Sequence, residues 1–165
     1  MYDQNKAHYI SITGIVIKDG KFLITKRAPH EKAFPNMWTV PGGKVELNDY
    51  TNRERDNINQ WYNIFENVLR REVSEETGLS IKNINYLTSL SFIRPDNIPT
   101  VVVSFYADHE EGNVALSKDS IDHAWVTVEE AEKYDLIDGI HEELVMVDRI
   151  LQGRPVEEWK KGLKL

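Results

Sequence analysis

Apolar positions along the chain follow two periods, and these separate predicted helices from predicted strands. Residues 61–78 bring their apolar side chains onto one broad face when successive residues turn by about 100°, which predicts a helix. The same spacing over 139–151 predicts a second amphipathic helix. The apolar positions are Trp61, Tyr62, Phe65, Val68, Leu69 and Val73 in the first helix, and Ile140, Leu144, Val147 and Leu151 in the second.

Runs rich in β-branched and aromatic residues predict strands around these helices. The predicted strands cover 9–17, 21–27, 38–40, 81–93, 100–107 and 124–128. Asp19 and Gly20 form a two-residue hairpin signal between the first two strands, and a further helix is expected from Glu129. Residues 47–60 are polar and show no clear pattern. Predominant strands with a few helices indicate an α+β class or a mixed α/β sandwich.

Three glutamates of the first predicted helix lie on or beside its apolar face. Glu72 and Glu76 fall inside the apolar stripe, and Glu75 falls at its edge. A buried carboxylate needs a cation or several donors, and acids at this spacing repel one another. A divalent metal would answer both problems because hard cations take oxygen ligands. Ion pairs with Arg70 and Arg71 would also do so, and the spacing alone leaves the two explanations open.

Composition excludes several classes of function. The formal net charge of −7 argues against general binding to nucleic-acid polymers or to membrane surfaces, which requires a basic face. The lack of cysteine excludes disulfides, thiolate zinc sites and a cysteine nucleophile. No apolar run is long enough to span a bilayer and no signal-peptide pattern is found, so we expect a cytoplasmic protein. A length of 165 residues suits one domain with a full core.

The acidic stretch is part of a longer motif. Five residues separate Gly43 from Asp49, and residues 71–79 have the sequence REVSEETGL. This arrangement resembles the Nudix box, the signature of the Nudix hydrolases. Residues 41–46 (PGGKVE) are similar to its usual lead-in, and 21–28 (KFLITKRA) to the second strand of MutT-type members. The resemblance covers about 8–152 and implies a single domain over 1–165 with the α/β/α sandwich of the Nudix fold.

Two departures from the family pattern precede the arginine. The pattern has glutamate where this chain has Asp49. It also allows seven residues before Arg71, whereas 21 follow Asp49 here, which amounts to an insertion of 14 residues within 50–63. The role of Asp49 is therefore open, and we expect the insertion to form a lid or a longer entry to the helix. The alternatives to Asp49 are Glu46, Glu54 and Asp56.

The resemblance implies hydrolysis of a nucleoside diphosphate linked to another moiety, by attack of water on phosphorus with Mg²⁺ or Mn²⁺. It implies that Glu72, Glu75 and Glu76 bind the metal together with the carbonyl of Gly42. Glu72 is also the candidate base, because a metal lowers the pKa of its bound water. Arg71 is expected to hold the carboxylates by bidentate pairing. We therefore expect Glu72, Arg71 and Glu75 to carry catalysis.

Substrate phosphates require local positive charge in an acidic protein. Arg27 matches a substrate-contacting arginine of MutT-type members, and a solvated strand end is the equal alternative. Further candidates are Lys26, Lys44 and Arg94. Asp122 is the candidate for an additional acid from a late loop. Its competitors are Glu110, Glu111 and Asp119. Trp38 and Phe92 offer stacking surfaces for a base, although buried aromatics more often belong to the core.

Several substrates and one other class of protein remain open. Pro95, 16 residues beyond Leu79, is similar to a mark of ADP-ribose pyrophosphatase-like members, whereas KFLITKRA favours nucleoside triphosphates, including oxidised dNTPs. The alternative is a Nudix-fold sensor of nucleotides or ADP-ribose that has lost catalysis. We expect a small-molecule nucleotide partner, no nucleic-acid polymer and no membrane, in a monomer or a homodimer.

Overall fold

The computed structural model describes residues 3–165, which form seven strands, four helices and one short 3₁₀ turn. The strands are β1 (Tyr9–Lys18), β2 (Lys21–Arg27), β3 (Trp38–Thr39), β4 (Gly42–Lys44), β5 (Ser80–Ile93), β6 (Pro99–Glu111) and β7 (Ser120–Val126). The helices are α1 (Asn48–Thr51), α2 (Ile64–Thr77), α3 (Val128–Ala131) and α4 (Ile140–Leu151), and the 3₁₀ turn is Gln4–Lys6. No helix within residues 3–165 has the length and apolar character needed to cross a bilayer.

The strands form one mixed sheet in which β1 pairs with three other strands along different parts of its length. The main path is β3-β2-β1-β6-β5, with β4 attached to β1 and β7 attached to β2. β1 lies parallel to β6 along nearly its whole length. It pairs with β2 close to the hairpin, at Ile17 and Lys18, and with β4 further back, at Ile12 and Thr13. β1 and β2 therefore separate toward the start of β1, and a cleft opens there.

Helices cover both faces of the sheet, as the sandwich prediction requires. Ile12 and Val16 of β1 pack with α2, while Ile15 and Ile17 pack with α4. This alternation follows from the two-residue repeat of a strand. The buried residues of α2 are Val68, Leu69, Val73 and Thr77, and those of α4 are Ile140, Glu143, Leu144, Val145, Met146 and Val147. The predicted α+β class is confirmed by this arrangement.

The hairpin prediction is confirmed, and the start of the first helix differs from its prediction. Asp19 and Gly20 have φ values of 51° and 74°, the left-handed pair that a tight hairpin needs. The helix predicted from about Trp61 begins at Ile64. Asn63 has φ 56°, which interrupts a right-handed helix, and Tyr62 is exposed rather than part of the apolar face.

The segment before α2 folds mainly on itself. Arg53 and Asp56 form an ion pair with two hydrogen bonds of 3.1 Å and 2.9 Å. The Trp61 ring packs 5.4 Å from Tyr50, and its Nε1 donates to the carbonyl of Arg53. Ile58 projects from this segment and is 86% exposed. The insertion expected within 50–63 therefore falls on a self-contained loop that leads into α2.

Candidate active site

An open cleft of about 670 Å³ crosses the sheet where β1 and β2 separate. At one end, here the α2 end, lie Gly42, Gly43, Glu72 and Glu76. The lining also includes residues of α4 and the loop before it, here called the α4 end: Ile137, Ile140 and Glu143. Residues 45–71 do not line this cleft, so the loop before α2 stands outside its wall.

Two glycines allow β4 to lie against α2. A Cβ on Gly43 would lie 2.0 Å from Oε1 of Glu72, and one on Gly42 would lie 2.2 Å from the carbonyl oxygen of Ile12. The amide of Gly42 donates a 3.0 Å hydrogen bond to Oε2 of Glu76. The glycine turn therefore brings backbone and two helix carboxylates together at the α2 end.

Arg71 joins three of the acids. Its Nε donates to Oδ1 of Asp49 at 2.8 Å, its Nη2 lies 2.9 Å from Oε1 of Glu72, and its Nη1 lies 3.0 Å from Oε2 of Glu75. The Asp49 side chain is only 8% exposed, and its other oxygen accepts from the amide of Glu46. Asp49 thus holds the arginine that contacts Glu72, despite the long loop between them.

The carboxylates at the α2 end are held where water is scarce. Burial raises the pKa of Glu76 to about 7, against the opposing effects of the Gly42 amide and the Arg27 charge. Burial also raises the pKa of Glu72, and the neighbouring Arg71 charge opposes this. Two inward carboxylates one helical turn apart form an all-oxygen donor set. Such a set is suited to a hard divalent cation, which would favour the charged form of both acids.

The structure places the other candidate residues in three different settings. Those that line the cleft are Arg27, Lys44, Arg94 and Phe92, together with Asp119. Those outside it are Glu75, whose side chain is 62% exposed, Lys26, Asp122, Glu110 and Glu111. Trp38 lies in the core against Tyr134. Lys26 and Asp122 face each other on β2 and β7, so their strand positions direct both away from the cleft.

The late-loop acid that lines the cleft is Asp119, whereas the sequence favours Asp122. Asp119 lies 3.3 Å from Nε2 of His30, and its charge contributes to the raised pKa of Glu76. The ligand atoms of His30, Glu31 and Asp119 lie within 4.8 Å of one another. Glu31 also pairs with Arg27. No sequence signal indicated this cluster, because its members come from loops far apart in the chain.

A second residue missed by the sequence reasoning is Glu143 of α4. It is 1% exposed, and its Oε2 has no hydrogen-bond partner among the described residues. A signal was available, since Glu143 falls on the apolar face of its helix between Ile140 and Leu144. The same signal directed attention to Glu72 and Glu76.

The model of the NUDIX domain family matches residues 8–147, and the chain belongs to this family. It is 29% identical over 121 residues to the NAD-capped RNA hydrolase NudC of Haemophilus influenzae strain PittEE, covering 73% of this chain and 39% of that protein. It is 28% identical over 132 residues to the nucleoside triphosphatase NudI of Salmonella agona strain SL483, covering 74% and 84%. The chain thus spans less than half the length of the NudC relative.

Solved structures with the same fold cover almost the whole chain. A MutT NUDIX hydrolase from Burkholderia pseudomallei superposes with a TM-score of 0.66 at 19% identity, covering 84% of this chain and 97% of that one. The ORF135 protein of E. coli gives a TM-score of 0.67 at 20% identity, covering 95% and 100%. The predicted Nudix membership and Nudix fold are therefore confirmed.

Proposed function

We propose that the protein is a metal-dependent pyrophosphohydrolase that cleaves a nucleoside diphosphate linked to another moiety. The observation that carries this proposal is the contact of Glu72 and Glu76 with the Gly42–Gly43 turn inside the cleft. Family membership supports the reaction class, and the NudI relative is named a nucleoside triphosphatase. Both acids lie on one rigid helix, α2. Their side chains are therefore held in place before a pyrophosphate binds, which favours catalysis.

Glu72, Glu76 and the carbonyl of Gly42 would hold Mg²⁺ or Mn²⁺, with Glu75 as a further ligand from the exposed side. When bound, such an ion neutralises phosphate charge and lowers the pKa of water. Glu72 would accept the proton of the attacking water as its oxygen bonds to phosphorus, and the phosphorus–oxygen bond of the pyrophosphate would break to release a phosphate-terminated product. Arg71 holds Glu72 in position and favours its ionised form against the effect of burial, since the two groups lie 2.9 Å apart.

Cations around the cleft are suited to bind the substrate phosphates. Arg27, Lys44 and Arg94 all line it, whereas Lys26 does not. Arg27 is already oriented by the carbonyl of Ala33 at 2.8 Å, and Arg94 by two hydrogen bonds to Asp96 at 3.0 Å and 2.9 Å. Arg27, Lys44 and Arg94 are therefore the candidates for phosphate contacts.

A small nucleotide fits this protein better than a capped RNA. The net charge of −7 opposes binding of a nucleic-acid polymer. The NudC relative is named for NAD-capped RNA, but this chain covers only 39% of that protein. The candidate substrates are nucleoside triphosphates, oxidised dNTPs and ADP-ribose, and monomer and homodimer both remain compatible with the proposal.

The test is a substrate panel with Mg²⁺ or Mn²⁺, containing these nucleotides, dinucleoside polyphosphates and an NAD-capped RNA. We expect phosphate-terminated products from at least one small nucleotide, and Glu72→Gln should lower kcat by about 10²–10⁴-fold. Glu66→Gln is the matched control, because Glu66 is on the first turn of α2 outside the cleft. Binding of nucleotide and metal without turnover of any substrate would contradict the proposal and identify a sensor.

A further inference from the structure

A second group of metal-ligating side chains lies beside the cleft, apart from the glutamates of α2. Its members are His30, Glu31 and Asp119, here the rim cluster, and their ligand atoms lie within 4.8 Å of one another. His30 and Glu31 belong to the loop between β2 and β3, whereas Asp119 comes directly before β7. Glu31 and Asp119 line the cleft and His30 does not. Two loops therefore bring one imidazole and two carboxylates together at the edge of the cleft.

The spacing within the rim cluster matches the coordination shell of a metal ion. Nε2 of His30 lies 3.3 Å from Oδ1 of Asp119 and 3.9 Å from Oε1 of Glu31. Two ligands that bind zinc at about 2.0–2.1 Å in a tetrahedron are about 3.3–3.4 Å apart. The first distance already has this value. The His30 and Asp119 side chains are 58% and 45% exposed, so packing does not lock them and the second distance can shorten.

Hydrogen bonds within the rim cluster leave its donors and acceptors unmatched. Nε2 of His30 carries at most one proton, and its 3.9 Å separation from Glu31 is beyond hydrogen-bond distance. The imidazole can therefore serve Asp119 alone. When Nε2 is unprotonated, its lone pair faces two carboxylate oxygens, and all three atoms are acceptors. A cation placed among these atoms satisfies all of them at once, with the imidazole in its neutral form.

Neighbouring residues hold the rim cluster together before any ion binds. The amide of Ala28 donates a 2.9 Å hydrogen bond to the carbonyl of Asp119, which ties the two loops at their base. Nη2 of Arg27 lies 2.5 Å from Oε2 of Glu31, while Oε1 of the same carboxylate lies toward His30. Outer partners of this kind orient metal ligands and raise the affinity for the metal.

We propose that the rim cluster is a second cation site, which takes a borderline divalent ion such as Zn²⁺. An imidazole nitrogen favours such ions, whereas Mg²⁺ prefers an all-oxygen set such as Glu72 and Glu76. Three protein ligands leave the fourth tetrahedral position open to a further ligand. Because two of the three ligands line the cleft, the ion is reached from the cleft. This inference goes beyond the proposed hydrolysis and does not rest on it.

The first test measures zinc binding in a variant that lacks the acids of α2. Calorimetry at neutral pH compares the double variant Glu72→Gln/Glu76→Gln with the same protein carrying His30→Ala or Asp119→Asn in addition. We expect the double variant to bind one equivalent of Zn²⁺, and each further substitution to weaken this binding at least about tenfold. A double variant that binds no zinc, or an equal zinc affinity with and without His30, would overturn the proposal.

His123→Ala in the double variant is the matched control. His123 is an exposed histidine on β7 that does not line the cleft, so its removal should leave zinc affinity unchanged. Equal losses of zinc affinity in His123→Ala and His30→Ala would show unspecific binding to surface histidines and overturn the proposal.

The second test uses Co²⁺ as a coloured substitute for Zn²⁺. The double variant should show the strong visible absorption of a four-coordinate ion, and His30→Ala should lose it while keeping the same thermal unfolding, since His30 is exposed. A spectrum that is the same with and without His30 would contradict the site. These measurements contain no nucleotide and no Mg²⁺, so a failure of zinc binding and a failure of the proposed hydrolysis are separate results.

Discussion

Gly43 and Glu72 are in such close contact that the glycine has no room for a side chain. We predict that Gly43→Ala displaces the Glu72 carboxylate, because its Cβ would lie 2.0 Å from Oε1. The displacement should lower kcat by at least about tenfold, since a metal ligand and base must be held within about 0.5 Å. Steady-state kinetics with thermal unfolding of the same variant check this. A folded variant with wild-type kcat would contradict it.

Arg71 acts as a positioning residue through its simultaneous contacts with Asp49, Glu72 and Glu75. We predict that Arg71→Lys lowers kcat by about 10–100-fold although the charge is kept, because one ammonium group cannot reproduce three directed contacts. The pH profile of kcat should also shift upward at its acidic limb, since Glu72 loses ionic support. Arg70→Lys is the control, because Arg70 is exposed on the same helix. Identical profiles for the two variants would rule out this role.

Glu143 should make the stability of the protein depend on pH. Its folded pKa of about 7 lies above the ordinary 4.5, so the fold favours the protonated acid and the wild type loses stability as pH rises through this window. Burial is the main cause, and the charge of Glu142 adds to it. The difference in unfolding free energy, Glu143→Gln minus wild type, should increase by about 3 kcal/mol between pH 4.5 and 8.

Urea unfolding at several pH values measures this difference directly. Glu66→Gln provides the control, because Glu66 lies on α2 and is not among the groups that shift the pKa of Glu143. A difference between Glu143→Gln and the wild type that stays constant over the whole window would show that Glu143 is not titrating in the folded protein.

At the residue scale, the sequence located acids that share a helix and missed groups that converge from elsewhere. Glu72 and Glu76 could be recognised because carboxylates on an apolar stripe demand an explanation. The preference for Asp122 over Asp119 could not be decided from sequence, because the direction of a side chain depends on where β7 begins. β7 begins at Ser120, earlier than the predicted 124, and this leaves Asp119 in the loop beside the cleft.

At the scale of elements, local backbone signals were decisive where they were strong. Asp19 and Gly20 fixed the β1–β2 hairpin, because few residue pairs accept two left-handed conformations. The start of α2 was predicted too early, since the apolar pattern of Trp61 and Tyr62 continues the helical spacing. The helix cannot extend back past Asn63, whose backbone is left-handed. An asparagine alone is too weak a signal to predict this boundary.

The loop before α2 gives a prediction about a whole segment. Replacing residues 54–60 by a short glycine–serine linker should leave KM and kcat within about twofold of the wild type, because these residues do not line the cleft and Asp49 keeps its contact with Arg71. Kinetics on the best substrate of the panel check this. A tenfold change in KM would instead support the expectation of a lid.

At the scale of the whole molecule, the cleft results from how β1 divides its pairing. Because β1 pairs with β4 near its start, at Ile12 and Thr13, and with β2 only at its end, at Ile17 and Lys18, the sheet opens and the two helical layers both reach the gap. The apolar faces of α2 and α4 were sufficient to predict that helices cover the sheet. The sequence could not predict that α2 and α4 would each contribute a buried acid to one cleft, since this depends on strand order.

The most direct test of the central claim is an anomalous difference map from crystals soaked in Mn²⁺ with a non-hydrolysable nucleotide. We predict a peak coordinated by the carboxylates of Glu72 and Glu76 beside Gly42, with the nucleotide phosphates next to it. Absence of a peak at this position, with the two side chains unchanged and manganese bound elsewhere, would contradict the account.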